Sequence, residues 1–212
     1  ILDGGPVPDY VHFHKVRFQV IYCRRGWVRV AYEGQGEPFV MEAGDCVLQP
    51  PEIRHRVLES SAGAEVVELA SPAEHITMAD HNLPLPNGVY AADHDFNGQR
   101  FVRHRLSQAS WHPWRLAGFE QRDTGIAVAT DGLAGVRVLR CPAGLPAQTQ
   151  AHDHEFCFFF VLSGRVRLGV NGQQHDLAPD DSVTLPGGMP YSLEPLEACE
   201  LLEVSLPGAV GG

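Results

Sequence analysis

No run of apolar residues in this 212-residue chain approaches the roughly 18 needed to span a membrane as a helix. Positive charge is also scarce. Lysine and arginine number 16 against 26 acidic residues, for a net charge of −10. Such a balance leaves no electrostatic footprint for nucleic acid or for an anionic membrane. A nucleophile elbow of the G-x-S-x-G type, a phosphate-cradling loop and a dinucleotide fingerprint are all missing. Serine-hydrolase, P-loop and nicotinamide chemistries therefore have no support. No export leader is visible in the stretch that opens at Ile1, a residue that suggests the natural start lies further upstream. The five cysteines are odd in number and suit no zinc knuckle. Reduced, buried thiols and a cytoplasmic location are the expectation.

What is present is turn chemistry. Glycine (22) and proline (16) separate short apolar runs, the pattern of many strands rather than helices. Gln19–Cys23, Trp27–Tyr32, Pro38–Met41, Cys46–Gln49, His55–Leu58 and Val66–Leu69 read as strands. A second set follows in Phe156–Leu162, Val166–Val170, Val183–Leu185 and Leu201–Val204. The predicted class is all-β, a sandwich or barrel.

The two sets are copies. When His12 is laid on His152, Gly4 meets Gly144, Pro6 meets Pro146 and His14 meets His154. After a two-residue gap, Gly26 meets Gly164 and Gly34 meets Gly172. Asp45 then meets Asp181, Pro50 meets Pro186, and Glu65–Glu68 meets Glu200–Glu203. A twofold repeat predicts two like domains, not a solenoid. Their expected bounds are 1–75 and 126–208, joined by a linker over 76–125 with Phe101–Leu106 and Gly125–Ala129 as potential strands. The second copy has a strand, Gly135–Arg140, ahead of its first turn, and the first copy lacks its counterpart.

His12 and His14 are two apart, so on a strand they share a face. His55 arrives on a later strand. Three neutral imidazoles can close around one transition-metal ion. The second copy keeps His152 and His154, but Tyr191 stands where the third histidine would be. Arg54 and Arg56 flank His55 and are expected to face outward. Glu68 and Glu203 share a place on the last strand of each copy, which points to a structural role. His75, His81, His94, His104, His112 and His175 read as surface or capping residues.

These residues resemble the cupin superfamily, whose two motifs are G-x5-H-x-H-x3-4-E-x6-G and G-x5-P-x-G-x2-H. The first copy matches with His12, His14, Gln19 in the glutamate position and Gly26, then Gly44, Pro50 and His55. Pro6 and Glu52 depart from the pattern. The second copy keeps His152, His154, Gly164, Pro186 and Gly188, with Cys157 in the glutamate position. The whole chain looks like a bicupin, which implies two tandem double-stranded β-helix barrels, jelly-roll-like, with a connecting linker.

The resemblance implies a divalent transition metal (Fe, Mn, Ni or Zn) held by His12, His14 and His55, with Gln19 ligating or only orienting a water. His152, His154, Cys157 and Tyr191 form a second candidate site. A mononuclear metal-dependent oxygenase or dioxygenase acting on a small organic substrate in the first barrel is the leading expectation. A non-catalytic small-molecule sensor and a sugar isomerase or epimerase are the alternatives. By analogy the chain forms a homodimer, with no nucleic-acid or membrane partner. The residues of the catalytic machinery beyond the metal set are not identified by sequence.

Overall fold

A computed structural model describes residues 3–208. The chain divides into two compact units, Ile1–Gln108 and Ala109–Gly212. The first contains β1 (Gly5–Pro6), β2 (His12–Lys15), β3 (Phe18–Arg25), β4 (Trp27–Tyr32), β5 (Phe39–Glu42), β6 (Cys46–Gln49), β7 (His55–Ser60), β8 (Glu65–Ser71), β9 (Ile76–Ala79) and β10 (Val102–His104). One sheet runs β5-β4-β7-β2-β9, with β1 on β7, and the other runs β10-β6-β3-β8. Val28, Val30, Tyr32 and Met41 of the first sheet pack with Cys23 and Val47 of the second. The two sheets therefore share one core.

The second unit contains β11 (His112–Pro113), β12 (Glu120–Asp123), α1 (Ile126–Ala129), β13 (Gly135–Cys141), β14 (Gln148–Gln150), β15 (Phe156–Ser163), β16 (Val166–Val170), β17 (Gln173–Leu177), β18 (Ser182–Pro186), β19 (Tyr191–Pro195) and β20 (Cys199–Leu206). Its sheets run β11-β12-β13-β20-β15-β18 and β14-β19-β16-β17. Alternation on β15 buries Cys157, Phe159 and Val161 and leaves Phe156, Phe158 and Phe160 half-buried on the other face.

The sequence repeat reappears as strand pairing. On β3 and β8, Tyr22 faces Val67 and Cys23 faces Val66, after which the register slips so that Arg25 faces Glu65. On β15 and β20, Phe160 faces Leu202 and Val161 faces Leu201, and then Ser163 faces Glu200. The same bulge sits at the same place. The turn after it needs a left-handed residue, supplied by Gly26 (φ 69°) and Gly164 (φ 71°). A Cβ on Gly164 would stand 2.1 Å from the Ala198 carbonyl oxygen, so only glycine fits. The matched aspartates do matched work as well. Asp45 Oδ2 accepts the Glu42 N–H, and Asp181 Oδ2 accepts the Ala178 N–H.

The stretch 76–125 carries paired strands. β9 lies on β2 and β10 lies on β6, while β12 lies on β13. Gly125–Ala129, expected as a strand, instead turns into α1. Gly125 takes the left-handed conformation (φ 79°) at its N-cap, and Ile126, Ala127 and Ala129 are buried. A four-residue apolar run carries no period long enough to separate the two outcomes.

The two units differ at one edge. β20 lies between β15 and β13, whereas β8 pairs only with β3 among the described residues. Leu201 and Glu203 are each 1% exposed, but Val66, which matches Leu201, is 43% exposed and Glu68 is exposed.

Candidate metal centre

β2 presents His12 and His14, and His55, the first residue of β7, lies opposite His12 in the register. One ring nitrogen from each of the three lies within 4.8 Å of the other two. Ring centroids stand 4.4 Å apart for His12 and His55, 5.0 Å for His12 and His14, and 5.1 Å for His14 and His55.

Each ring is held from behind. His12 Nδ1 lies 2.9 Å from the Tyr10 carbonyl oxygen, His14 Nδ1 2.9 Å from Thr77 Oγ1, and His55 Nδ1 3.0 Å from the Ile53 carbonyl oxygen. A carbonyl can only accept, so Nδ1 of His12 and His55 carries the proton and donates it. The Nε2 atoms of these two rings then carry the lone pairs, that of His55 accepting from Gln49 Nε2 at 3.0 Å. Burial, with His12 nearby, lowers His55 to a pKa of about 3. Burial, with His12 and then His75 nearby, lowers His14 to about 4, against the pull of Glu68 and Asp9. Both are neutral at pH 7, the form that binds a metal. The donor set therefore fits a transition-metal ion.

Gln19 is 2% exposed and engaged at both ends. Its Nε2 donates to Glu68 Oε1 at 2.6 Å, and its Oε1 accepts from Gln49 Nε2 at 3.2 Å. Gln49 Nε2 also lies 3.0 Å from His55 Nε2, and Gln49 Oε1 accepts from the Tyr32 hydroxyl at 3.0 Å. A chain of hydrogen bonds thus runs Tyr32, Gln49, Gln19, Glu68 along one wall. The three histidines, Gln19, Gln49 and Glu68 line a cavity of about 300 Å³ whose other walls are largely aliphatic. Glu68, read from sequence as structural, faces this cavity. Strand alternation places it inward, but its partner on β3 is 49 positions away and gives no local signal. His75, read as a surface residue, has its ring 5.0 Å from that of His14.

The second candidate site is assembled differently. His152 and His154 stack with centroids 5.4 Å apart, and the Tyr191 ring lies 6.2 Å from His152. The Cys157 thiol points to Glu203 Oε1 at 3.8 Å. Among the described residues, only His12, His14 and His55 form a group of three such donors. Burial, then Glu203, pushes the Cys157 thiol up to about 12. Burial also raises Tyr191, although Arg115 pulls the other way. Neither is an anion at neutral pH. Arg115, which sequence did not single out, reaches this place from the loop after β11. It donates through Nη2 to Tyr191 Oη (3.0 Å), makes an ion pair with Glu203 (2.9 Å), and donates through Nε to Gln150 (2.5 Å).

Three comparisons with known proteins bear on this geometry. Residues 138–205 match the Cupin domain family. No curated protein matches the chain by sequence. Among solved structures, salicylate 1,2-dioxygenase from Pseudoaminobacter salicylatoxidans, as adducts with gentisate, is similar with a TM-score of 0.66 at 16% identity, over 95% of this chain and 65% of that one. Bacillus subtilis oxalate decarboxylase, described for its Mn(II) centres, is similar with a TM-score of 0.68 at 18% identity, over 99% and 68%. The formate complex of Lactobacillus farciminis oxalate decarboxylase gives a TM-score of 0.67 at 14% identity, over 95% and 73%. The chain thus spans about two thirds of the length of these proteins. The chain has a cupin fold, with a cupin domain at residues 138–205 and, in the other unit, a three-histidine cluster that could hold a metal.

Proposed function

We propose that the chain comprises two tandem double-stranded β-helix barrels and works as a mononuclear metal-dependent oxygenase on a small organic substrate. The chemistry belongs to the first barrel, with its metal on His12, His14 and His55. The observation that carries this reading is the convergence of three histidine rings on one cavity, with Nδ1 of His12 and His55 held by carbonyl oxygens and Nδ1 of His14 beside Thr77 Oγ1. Fe or Mn fits a set of neutral imidazoles, and the similar proteins include a dioxygenase and an enzyme with Mn(II) centres. Such a metal supplies Lewis-acid and redox chemistry at open coordination positions.

The chain's own groups then have separable tasks. Gln19 is held between Gln49 and Glu68, so it orients the site instead of ligating. Glu68 supplies, one residue further out, the negative charge that the Gln19 position lacks. The aliphatic walls hold an apolar body, and the cavity volume limits it to a compact molecule such as an aromatic or short-chain acid. The histidines, Gln19 and Glu68 would meet its polar end.

One observation favours a second reading, a binding module without turnover. Gln49 Nε2 lies 3.0 Å from His55 Nε2, so that lone pair is satisfied without a metal. The test is elemental analysis of protein purified without added metal, followed by oxygen-uptake assays on small aromatic and aliphatic acids. The oxygenase reading expects bound Fe or Mn and uptake abolished in His55→Ala. Bound ligand or metal with no uptake under any condition would support the binding module. No bound metal and no rise in Tm with Fe, Mn, Ni or Zn would overturn the metal site.

A further inference from the structure

Cys141 ends β13 and Cys199 begins β20, and the two residues face each other in the antiparallel register. Their Sγ atoms lie 3.1 Å apart. Both side chains point into the core of the second unit, 6% and 3% exposed, at its end. They are not sealed there. Together with Glu120, Arg140, Ser163 and Glu200, they line an open surface groove of about 380 Å³. A small oxidant can therefore reach them.

The fold does not call for sulfur at this place. In the repeat, Cys199 corresponds to Ala64, which is fully buried and satisfies the same bulged turn. Directly opposed residues on antiparallel strands also stand at a separation within the range that a disulfide spans. The other three cysteines, Cys23, Cys46 and Cys157, are buried as well. Cys23 bonds backbone carbonyls and Cys157 bonds the Glu203 carboxylate.

We propose that Cys141 and Cys199 are a redox-active dithiol that a hydroperoxide converts to a cross-strand disulfide. In the first step the Cys141 thiolate attacks one peroxide oxygen. The O–O bond breaks, Cys141 becomes a sulfenic acid, and the second oxygen leaves as water or alcohol after taking a proton. In the second step Cys199 sulfur attacks the sulfenic sulfur, the S–O bond breaks, and water leaves with the Cys199 proton. Two thiols are oxidised by two electrons and one hydroperoxide is reduced. The division of labour follows from exposure and contact. Cys141 is the more exposed of the two, 6% against 3%, so an oxidant meets it first, and the contact with Cys199 holds its thiol below the usual range. Cys141 is the attacking sulfur and Cys199 the resolving one.

The experiment treats the full folded chain with equimolar hydrogen peroxide, quenches it in denaturant with an alkylating agent, and maps the peptides without reduction. The expected result is a loss of 2 Da, a crosslink between the peptides carrying Cys141 and Cys199, and three alkylatable thiols remaining of five. Cys199→Ala, the residue the repeat already uses, should form no crosslink and should leave a sulfenic acid on Cys141 that dimedone traps. Reversal by dithiothreitol should restore five thiols. Oxidation of Cys23, Cys46 or Cys157 ahead of this pair would overturn the proposal. So would a crosslink forming no faster in the folded protein than in urea.

Discussion

The Arg115 guanidinium stands 2.9 Å from the carboxylate of Glu203, which is 1% exposed, inside the unit that has lost its third histidine. Glu203 corresponds in the repeat to Glu68, which in the first unit bonds Gln19 beside the three histidines. One copy therefore sets a carboxylate near a metal-ready cluster, and the other sets it against a fixed organic cation. Arg115 thus supplies the positive charge beside this buried carboxylate.

The stoichiometry follows. Purified protein is expected to bind one transition-metal ion per chain, measured by elemental analysis after dialysis. His14→Ala and His55→Ala should reduce this to near zero, while His152→Ala should leave it unchanged. Two ions per chain would contradict the role given to Arg115.

Removing the cation should cost stability. Arg115→Met leaves Glu203 buried, with Arg137 Nη1 4.0 Å away. A loss of about 2–4 kcal/mol is expected for breaking such a pair, reduced from the fully buried case because Arg115 is partly exposed. Urea denaturation measures it. The double variant Arg115→Met/Glu203→Gln should recover about half, since a neutral amide is cheaper to leave in that place.

Gln19→Glu tests the hydrogen-bonded wall. The new carboxylate would face Glu68 where a 2.6 Å amide bond now stands. The metal-free variant should be less stable by about 1–3 kcal/mol. Metal should bind it about tenfold more tightly than the parent and should raise its Tm more. Equal metal affinity in the two proteins would show that this side chain lies out of reach of the ion.

The metal-free protein should weaken on acidification. His55 and His14 have folded-state values of about 3 and about 4 against an ordinary 6.5, so the fold favours their neutral rings. An unfolded chain binds more protons in that window, and stability falls as pH drops from about 6.5 toward 4. Above that window the contribution is complete. Tm recorded in chelator from pH 8 to 5 should decline, and His55→Gln should flatten the decline.

Much of this arrangement is legible in the chain. The two-residue spacing of His12 and His14 states their shared face, and a strand pattern with a repeat places His55 opposite them. Gly26 and Gly164 are legible as a matched pair in the repeat, while the left-handed turn they serve is seen in the structure. Arg115 is not. It sits in a loop with no period, and its partners Gln150, Tyr191 and Glu203 are 35 to 88 positions further along, so no local pattern connects them. Glu68 fails differently. Its inward phase can be counted, but whether an inward carboxylate meets solvent or core depends on how β8 is flanked. Gly125–Ala129 fails because four apolar residues serve a helix turn and a strand equally.

The hydrogen-bonded wall also limits how the first cavity can adapt. Gln19 and Gln49 each use both the oxygen and the nitrogen of their amides on neighbours, so neither can turn toward a guest without breaking a bond. The cavity then selects by fit to a fixed wall, and discrimination between guests is set before any of them arrives.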